Sequence, residues 1–201
     1  VLQQLAGKLQ LPLADSIDET YDFILIVKPW PTEPGYLCQL QQTGAHAPGP
    51  VFVDFTAGKS AHRRRYGGGR KQPLARAIGM RPGHHPNVLD VTAGLGRDAY
   101  VLASLGCQVT LLERRPVIFE LLNNGIARAR ADPQTADIAN SMELIYADAN
   151  EYLANLPADS AFDVIYLDPM YPEREKSALV KKEMRYFYAI AGKDENEDTL
   201  L

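Results

Sequence analysis

From residue 88 onward, the apolar positions fall into short continuous runs separated by stretches with helical spacing. Runs at 88–91, 109–112, 143–146 and 163–167 have the length and the β-branched or aromatic content of buried strands. Between them, 97–105 places Val101, Leu102 and Leu105 on one helical face, with Gly106 as its stop. A second helix is predicted over 150–156. A third, over 177–191, buries Leu179, Val180, Met184, Phe187 and Ala191. Strands alternating with helices in this way predict an α/β fold of Rossmann type, built on a parallel sheet.

Residues 1–55 have a different texture. Phe23-Ile24-Leu25-Ile26-Val27, Tyr36-Leu37-Cys38-Gln39-Leu40 and Val51-Phe52-Val53-Asp54-Phe55 are three short β-type runs punctuated by prolines and glycines. The expected organisation is a small N-terminal β-rich subdomain over 1–55 and a basic, glycine-rich connecting segment over 56–86. The main domain then covers 87–201. The role of the first fifty residues is not legible.

Chemistry enters at the ends of the strands. Val164 to Leu167 lead into Asp168-Pro169-Met170-Tyr171-Pro172: a carboxylate at a strand's carboxyl end, then a turn stiffened by two prolines. Open α/β sheets bind ligands at that edge. The Asp168 carboxylate and the Pro169 carbonyl suit the N–H groups of a planar amine, while the Tyr171 ring suits the face of a base. Residues 88–98 supply a second motif, an apolar strand ending in Asp90 and then a turn carrying Gly94 and Gly96, where a side chain would obstruct a ligand. Glu113 follows about twenty residues later, the position of a ribose-binding carboxylate. A dinucleotide fingerprint carries a third glycine, but Ala99 stands there, and Asp98 puts negative charge beside the turn. That disfavours a pyrophosphate and favours a ligand with a cationic part, such as S-adenosylmethionine. Asp148 suits either the adenine amine or the N-cap of the following helix. Arg114 and Arg115 suit either the cofactor or solvent.

Composition narrows the class. The chain has 201 residues, 46% of them hydrophobic, and a net charge of −4. No apolar run approaches the ~20 residues of a membrane span. Cys38 and Cys107 sit in apolar runs and read as buried thiols, and no His/Cys cluster has metal spacing. A cytoplasmic enzyme without metal is expected. The charge is uneven, however. Residues 59–85 hold eight of the 21 basic residues and no acid, among them Arg63, Arg64, Arg65 and Arg70 around Gly67-Gly68-Gly69. Lys176, Lys181, Lys182 and Arg185 follow the Asp168 turn. Basic clusters on both sides of the candidate site, in an acidic protein, point to a polyanion at one face.

Three stretches carry a family resemblance: His62-Arg63-Arg64-Arg65-Tyr66-Gly67-Gly68-Gly69-Arg70, Asp90-Val91-Thr92-Ala93-Gly94-Leu95-Gly96-Arg97-Asp98, and Tyr166 to Pro172 followed by Lys176 to Arg185. The chain resembles bacterial ribosomal RNA small subunit methyltransferase J from about Val51 to Arg185. The resemblance implies a class I S-adenosylmethionine-dependent sheet, and methyl transfer to the N2 amine of a guanosine near the 3′ end of 16S rRNA, free or in the small subunit. It places cofactor contacts on Arg97, Asp98, Glu113, Arg114, Asp148, Ala149 and Asp168, beside Asp90, Gly94 and Gly96 from the reading above. Asp168, Pro169 and Tyr171 form the expected catalytic set. Such a sheet normally has three further strands, so the chain is expected to be incomplete at its C-terminal end. Two alternatives stay open: a methyltransferase for another amino group, such as adenine N6 or a protein glutamine, and a non-catalytic RNA-binding scaffold. A nicotinamide dehydrogenase is more distant.

Overall fold

The computed structural model describes residues 1–17, 20–57, 69 and 72–168. Helix α1 (Leu2–Leu9) precedes strands β1 (Phe23–Pro29) and β2 (Tyr36–Gln42), and α2 (Pro73–Ala77) leads into the main sheet. There the order is β3 (Asn87–Asp90), α3 (Arg97–Ser104), β4 (Gln108–Glu113), α4 (Pro116–Ala131), α5 (Ala136–Asn140), β5 (Met142–Tyr146), α6 (Ala149–Ala154) and β6 (Val164–Tyr166). The four strands expected from 88 onward form, each displaced by one residue or so at its ends. The expected helix over 177–191 lies outside the described residues.

The four strands are parallel, in the spatial order β5-β4-β3-β6. The chain therefore builds outward from β3 through β4 to β5, then returns to add β6 on the other side of β3. That reversal creates a crevice at the carboxyl end of β3, where doubly wound sheets hold their ligands. Side chains alternate between the faces. Val88, Val109 and Leu111 join α3 and α4 in the larger core cluster, whereas Leu89, Val91 and Leu112 join Ala149 of α6 in a second. Asp90 follows this alternation onto the Val88 side, the face covered by α3.

Two features of residues 1–55 differ from expectation. A helix, α1, opens the chain, with Leu5 buried and Lys8 paired with the buried carboxylate of Glu120 on α4. The third β-type run makes only one bridge, Val51 to Leu40. Beyond it, the Val53 carbonyl accepts from the Arg128 guanidinium instead of a strand neighbour, and the Asp54 carboxylate accepts from the Thr56 amide (2.9 Å) and hydroxyl (2.8 Å), turning the chain. Cys38, Leu40, Val51, Val53 and Phe55 belong to the same core cluster as the main sheet. Both cysteines are free and buried, and burial pushes their thiols up to about 12 and about 11. They stay protonated and pack as small apolar side chains.

Candidate active site

Asp90 ends β3 and is almost wholly buried. Its Oδ1 accepts the Thr92 amide at 3.0 Å. Burial raises its pKa to about 7, opposed by the Thr92 amide bond and helped by the charges of Asp98 and Asp168. The turn that follows closes with Gly96 N–H donating to Ala93 O at 2.8 Å, and both Gly94 (φ 53°) and Gly96 (φ 67°) lie in the left-handed region. For Gly96 the structure supplies a reason other than ligand access. A Cβ there would lie 2.6 Å from Leu122 Cδ1 of α4, so the glycine lets α3 start against α4. Arg97 and Asp98 then open α3, an acid in the first turn suiting the helix dipole.

β6 brings the second motif alongside. Asp90 pairs with Tyr166, and Val91 N–H donates to Tyr166 O at 3.1 Å. The Tyr166 hydroxyl reaches across to Asp98 Oδ2 at 3.0 Å. Burial raises the phenol pKa, and the Asp98 charge raises it further, so the phenol stays a donor. Just beyond β6, Asp168 donates its amide to Thr92 Oγ1 at 2.9 Å. Three carboxylates on three elements thus share one crevice.

The neighbouring strand ends build the other half. Glu113 ends β4 with its Oε1 accepting the Arg115 amide at 2.8 Å, and the amides of Gly94 and Arg114 also hydrogen bond to its side chain. Burial raises its pKa, against the lowering effect of those amides and of the Arg115 charge. Asp148 follows β5 and caps α6, its Oδ1 accepting from Asn150 N (2.9 Å) and Glu151 N (3.4 Å). Its Oδ2 accepts from Arg114 at 2.9 Å. Partial burial would raise the Asp148 pKa, but the Arg114 bond and the two amides outweigh it and the net shift is downward. Both roles weighed for Asp148 therefore meet one fact: the capping role is present, and Arg114 pairs with it.

Asp90, Gly94, Gly96, Arg97, Asp98, Glu113, Arg114, Asp148, Ala149 and Asp168 all fall along the carboxyl ends of β3, β4, β5 and β6. Pro169 and Tyr171 lie outside the described residues, as do Arg63, Arg64, Arg65, Arg70, Lys176, Lys181, Lys182 and Arg185. The arrangement fits S-adenosylmethionine on its donor set. A buried carboxylate held at about 7 between two others gains by meeting a cation, and the sulfonium and amino group supply one. Glu113 at the next strand end suits a diol, and the Asp148–Ala149 corner beyond it suits a base. Among the described residues no group of three or more metal-ligating side chains occurs.

Sequence reasoning missed two side chains, Thr92 and Tyr166. Thr92 passed as one letter of the glycine motif, and Tyr166 as one apolar position in a strand. The available signal was that both carry a hydroxyl at the carboxyl end of a strand, where apolar packing stops.

Residues 5–201 match a family model described as "Putative SAM-dependent methyltransferase". The chain is 48% identical, over 99% of its length and 76% of the relative's, to ribosomal RNA small subunit methyltransferase J of Cellvibrio japonicus. It is 50% identical, over 98% of its length and 72% of the relative's, to the protein of that name from Pseudomonas paraeruginosa. Among solved structures, a SAM-dependent methyltransferase from Neisseria gonorrhoeae matches with a TM-score of 0.69 and 32% identity, over 99% of this chain and 73% of that one.

Proposed function

The chain belongs to the ribosomal RNA small subunit methyltransferase J family of S-adenosylmethionine-dependent methyltransferases, and from this we propose that it methylates the N2 amine of a guanosine near the 3′ end of 16S rRNA. The observation that carries the reading is the placement of Asp168 beside the Asp90 turn, tied to it through Thr92. The proposed cofactor pocket and Asp168 are thereby neighbours across one pair of strands. The cytoplasm, where ribosomal subunits are assembled, is the expected compartment, and no helix among the described residues is long and apolar enough to cross a membrane.

When bound, S-adenosylmethionine supplies an electrophilic methyl on a sulfonium, whose charge disappears on transfer. Asp90 and Asp98 favour the cationic end of the donor. Glu113 holds the ribose hydroxyls, and the Asp148–Ala149 corner, with Arg114 locking Asp148, receives the adenine. Arg97 opens α3 beside this pocket.

The acceptor poses the harder problem. The guanine N2 lone pair is delocalised into the ring, so the amine is a weak nucleophile. Asp168 and the Pro169 carbonyl accept its two N–H bonds, which favours a pyramidal nitrogen with its lone pair turned to the methyl. As the N–C bond forms, the amine becomes cationic, and one of its protons leaves toward the carboxylate and solvent. Alignment alone can supply about 7–11 kcal/mol in the best cases. Drawing a guanine from its stack costs a few kcal/mol, and stacking on Tyr171 returns roughly 1–3 kcal/mol. Arg63, Arg64, Arg65, Arg70, Lys176, Lys181, Lys182 and Arg185 bind rRNA phosphates.

Asp168→Asn keeps the side chain's size and one acceptor but removes its charge. Turnover on small ribosomal subunits is expected to fall by orders of magnitude, with RNA affinity near that of the unaltered protein. Near-normal turnover would remove Asp168 from the reacting centre.

A further inference from the structure

We propose that Thr92 is a positioning residue that ties Asp168 to the cofactor pocket, so that occupation of that pocket is felt at the carboxylate that meets the acceptor amine. The inference rests on the methyltransferase reading and adds a residue to it.

The sheet explains why such a lock is needed. β3 and β6 pair in register from Val88–Val164 to Asp90–Tyr166, and Val91 N–H still donates to Tyr166 O. The described strand β6 ends at Tyr166, so Asp168 stands just beyond it. Its amide donates to a side chain instead, the Thr92 hydroxyl, at 2.9 Å. The ladder is thus prolonged by one side-chain bond, at the residue whose carboxylate must be aimed.

Thr92 is fastened on its other side to Asp90, its amide donating to Asp90 Oδ1 at 3.0 Å. With Asp90 ionised, that amide bond is charge-assisted, and it holds the Thr92 hydroxyl where it meets the Asp168 amide. With Asp90 protonated, the charge assistance is lost and the hold on the Thr92 hydroxyl loosens. The titratable groups facing Asp90 are Asp98 from α3, Tyr166 from β6 and Asp168 itself, and the two carboxylates both oppose its ionisation. A cation in the pocket reverses that balance. Donor binding therefore tightens the hold on Asp168.

The test pairs Thr92→Val, which removes the hydroxyl at similar size, with Thr92→Ser, which keeps it. The Asp168 amide is followed by nitrogen-15 NMR, with and without S-adenosylmethionine, so no methyl acceptor is involved. The unaltered protein and Thr92→Ser should show a protected amide whose shift responds to S-adenosylmethionine. In Thr92→Val the amide should exchange about tenfold faster and lose that response, since one hydrogen bond is gone. In turnover, Thr92→Val should lower kcat by roughly tenfold to a hundredfold, as misplacement of a reacting group does, while KM for S-adenosylmethionine moves by less than about threefold. Thr92→Ser should recover most of kcat. An Asp168 amide indifferent to Thr92→Val, or a serine variant as impaired as the valine one, would overturn the proposal. If the amide behaves as expected but the unaltered protein methylates no rRNA, it is the substrate reading that fails and the lock that stands.

Discussion

Asp90 is a carboxylate whose burial and whose neighbours, Asp98 and Asp168, all favour its neutral form. Its folded pKa of about 7 lies above the ordinary value of 3.8, so between those two values the folded chain binds a proton that the unfolded chain has released. Stability contributed by this group is therefore full below pH 3.8 and is lost as pH rises to about 7. Cofactor binding is expected to have the opposite sign, because the cationic donor proposed for this pocket selects ionised Asp90. Affinity for S-adenosylmethionine should tighten from pH 6 to pH 8, by at most about tenfold per pH unit for one linked proton. Asp90→Asn should bind weakly and show a flat profile in calorimetry. A profile in Asp90→Asn as steep as in the unaltered protein would assign the proton to another group. The strand-end placement of Asp90, Glu113 and Asp168 was legible from the apolar runs that precede them, because an acid closing such a run falls at the carboxyl edge of the sheet. The hydroxyl of Thr92 was not, since its role depends on which amide lies opposite it across two strands.

At the scale of elements, the strands of the main sheet were readable as apolar runs, whereas α4 was not anticipated. Its sequence buries Glu120, Asn124 and Arg128, one polar side chain every fourth residue, and so lacks a clean apolar stripe. That buried polar row is a fastening. Glu120 takes Lys8 of α1, and Asn124 accepts from Cys38 N at 3.0 Å and donates to Tyr36 O at 2.9 Å on β2. Arg128 donates to Val53 O and lies 4.9 Å from the centre of the Trp30 ring. A long-range polar pairing of this kind has no signature in local spacing. The other face of α4 meets the glycine turn at Gly96. Gly96→Ala should cost about 1–3 kcal/mol from overpacking against Leu122, with about 1–2 kcal/mol more from the left-handed backbone. Thermal unfolding checks this: an unchanged Tm would mean that the two helices do not meet firmly there.

For the whole molecule, the net charge of −4 hides the two basic stretches on which rRNA binding is proposed. Replacing Arg63, Arg64 and Arg65 together by alanine should weaken rRNA binding and flatten its salt dependence, by roughly 0.7 in slope for each phosphate of single-stranded RNA left unneutralised. Cofactor affinity should hold. An unaltered slope in filter binding would return these arginines to solvent. The chain matches about three quarters of the length of its relatives, over the part that carries the switch point, the glycine turn and the Asp168 motif. The proposed role of this crevice is delivery of a methyl group to guanine N2 of the small subunit. Its most direct test is transfer of labelled methyl from S-adenosylmethionine to small ribosomal subunits from cells lacking this protein, followed by digestion and nucleoside analysis. The label should appear as N2-methylguanosine in the 3′ part of 16S rRNA, whereas label in N6-methyladenosine, in ribosomal protein, or nowhere would contradict it.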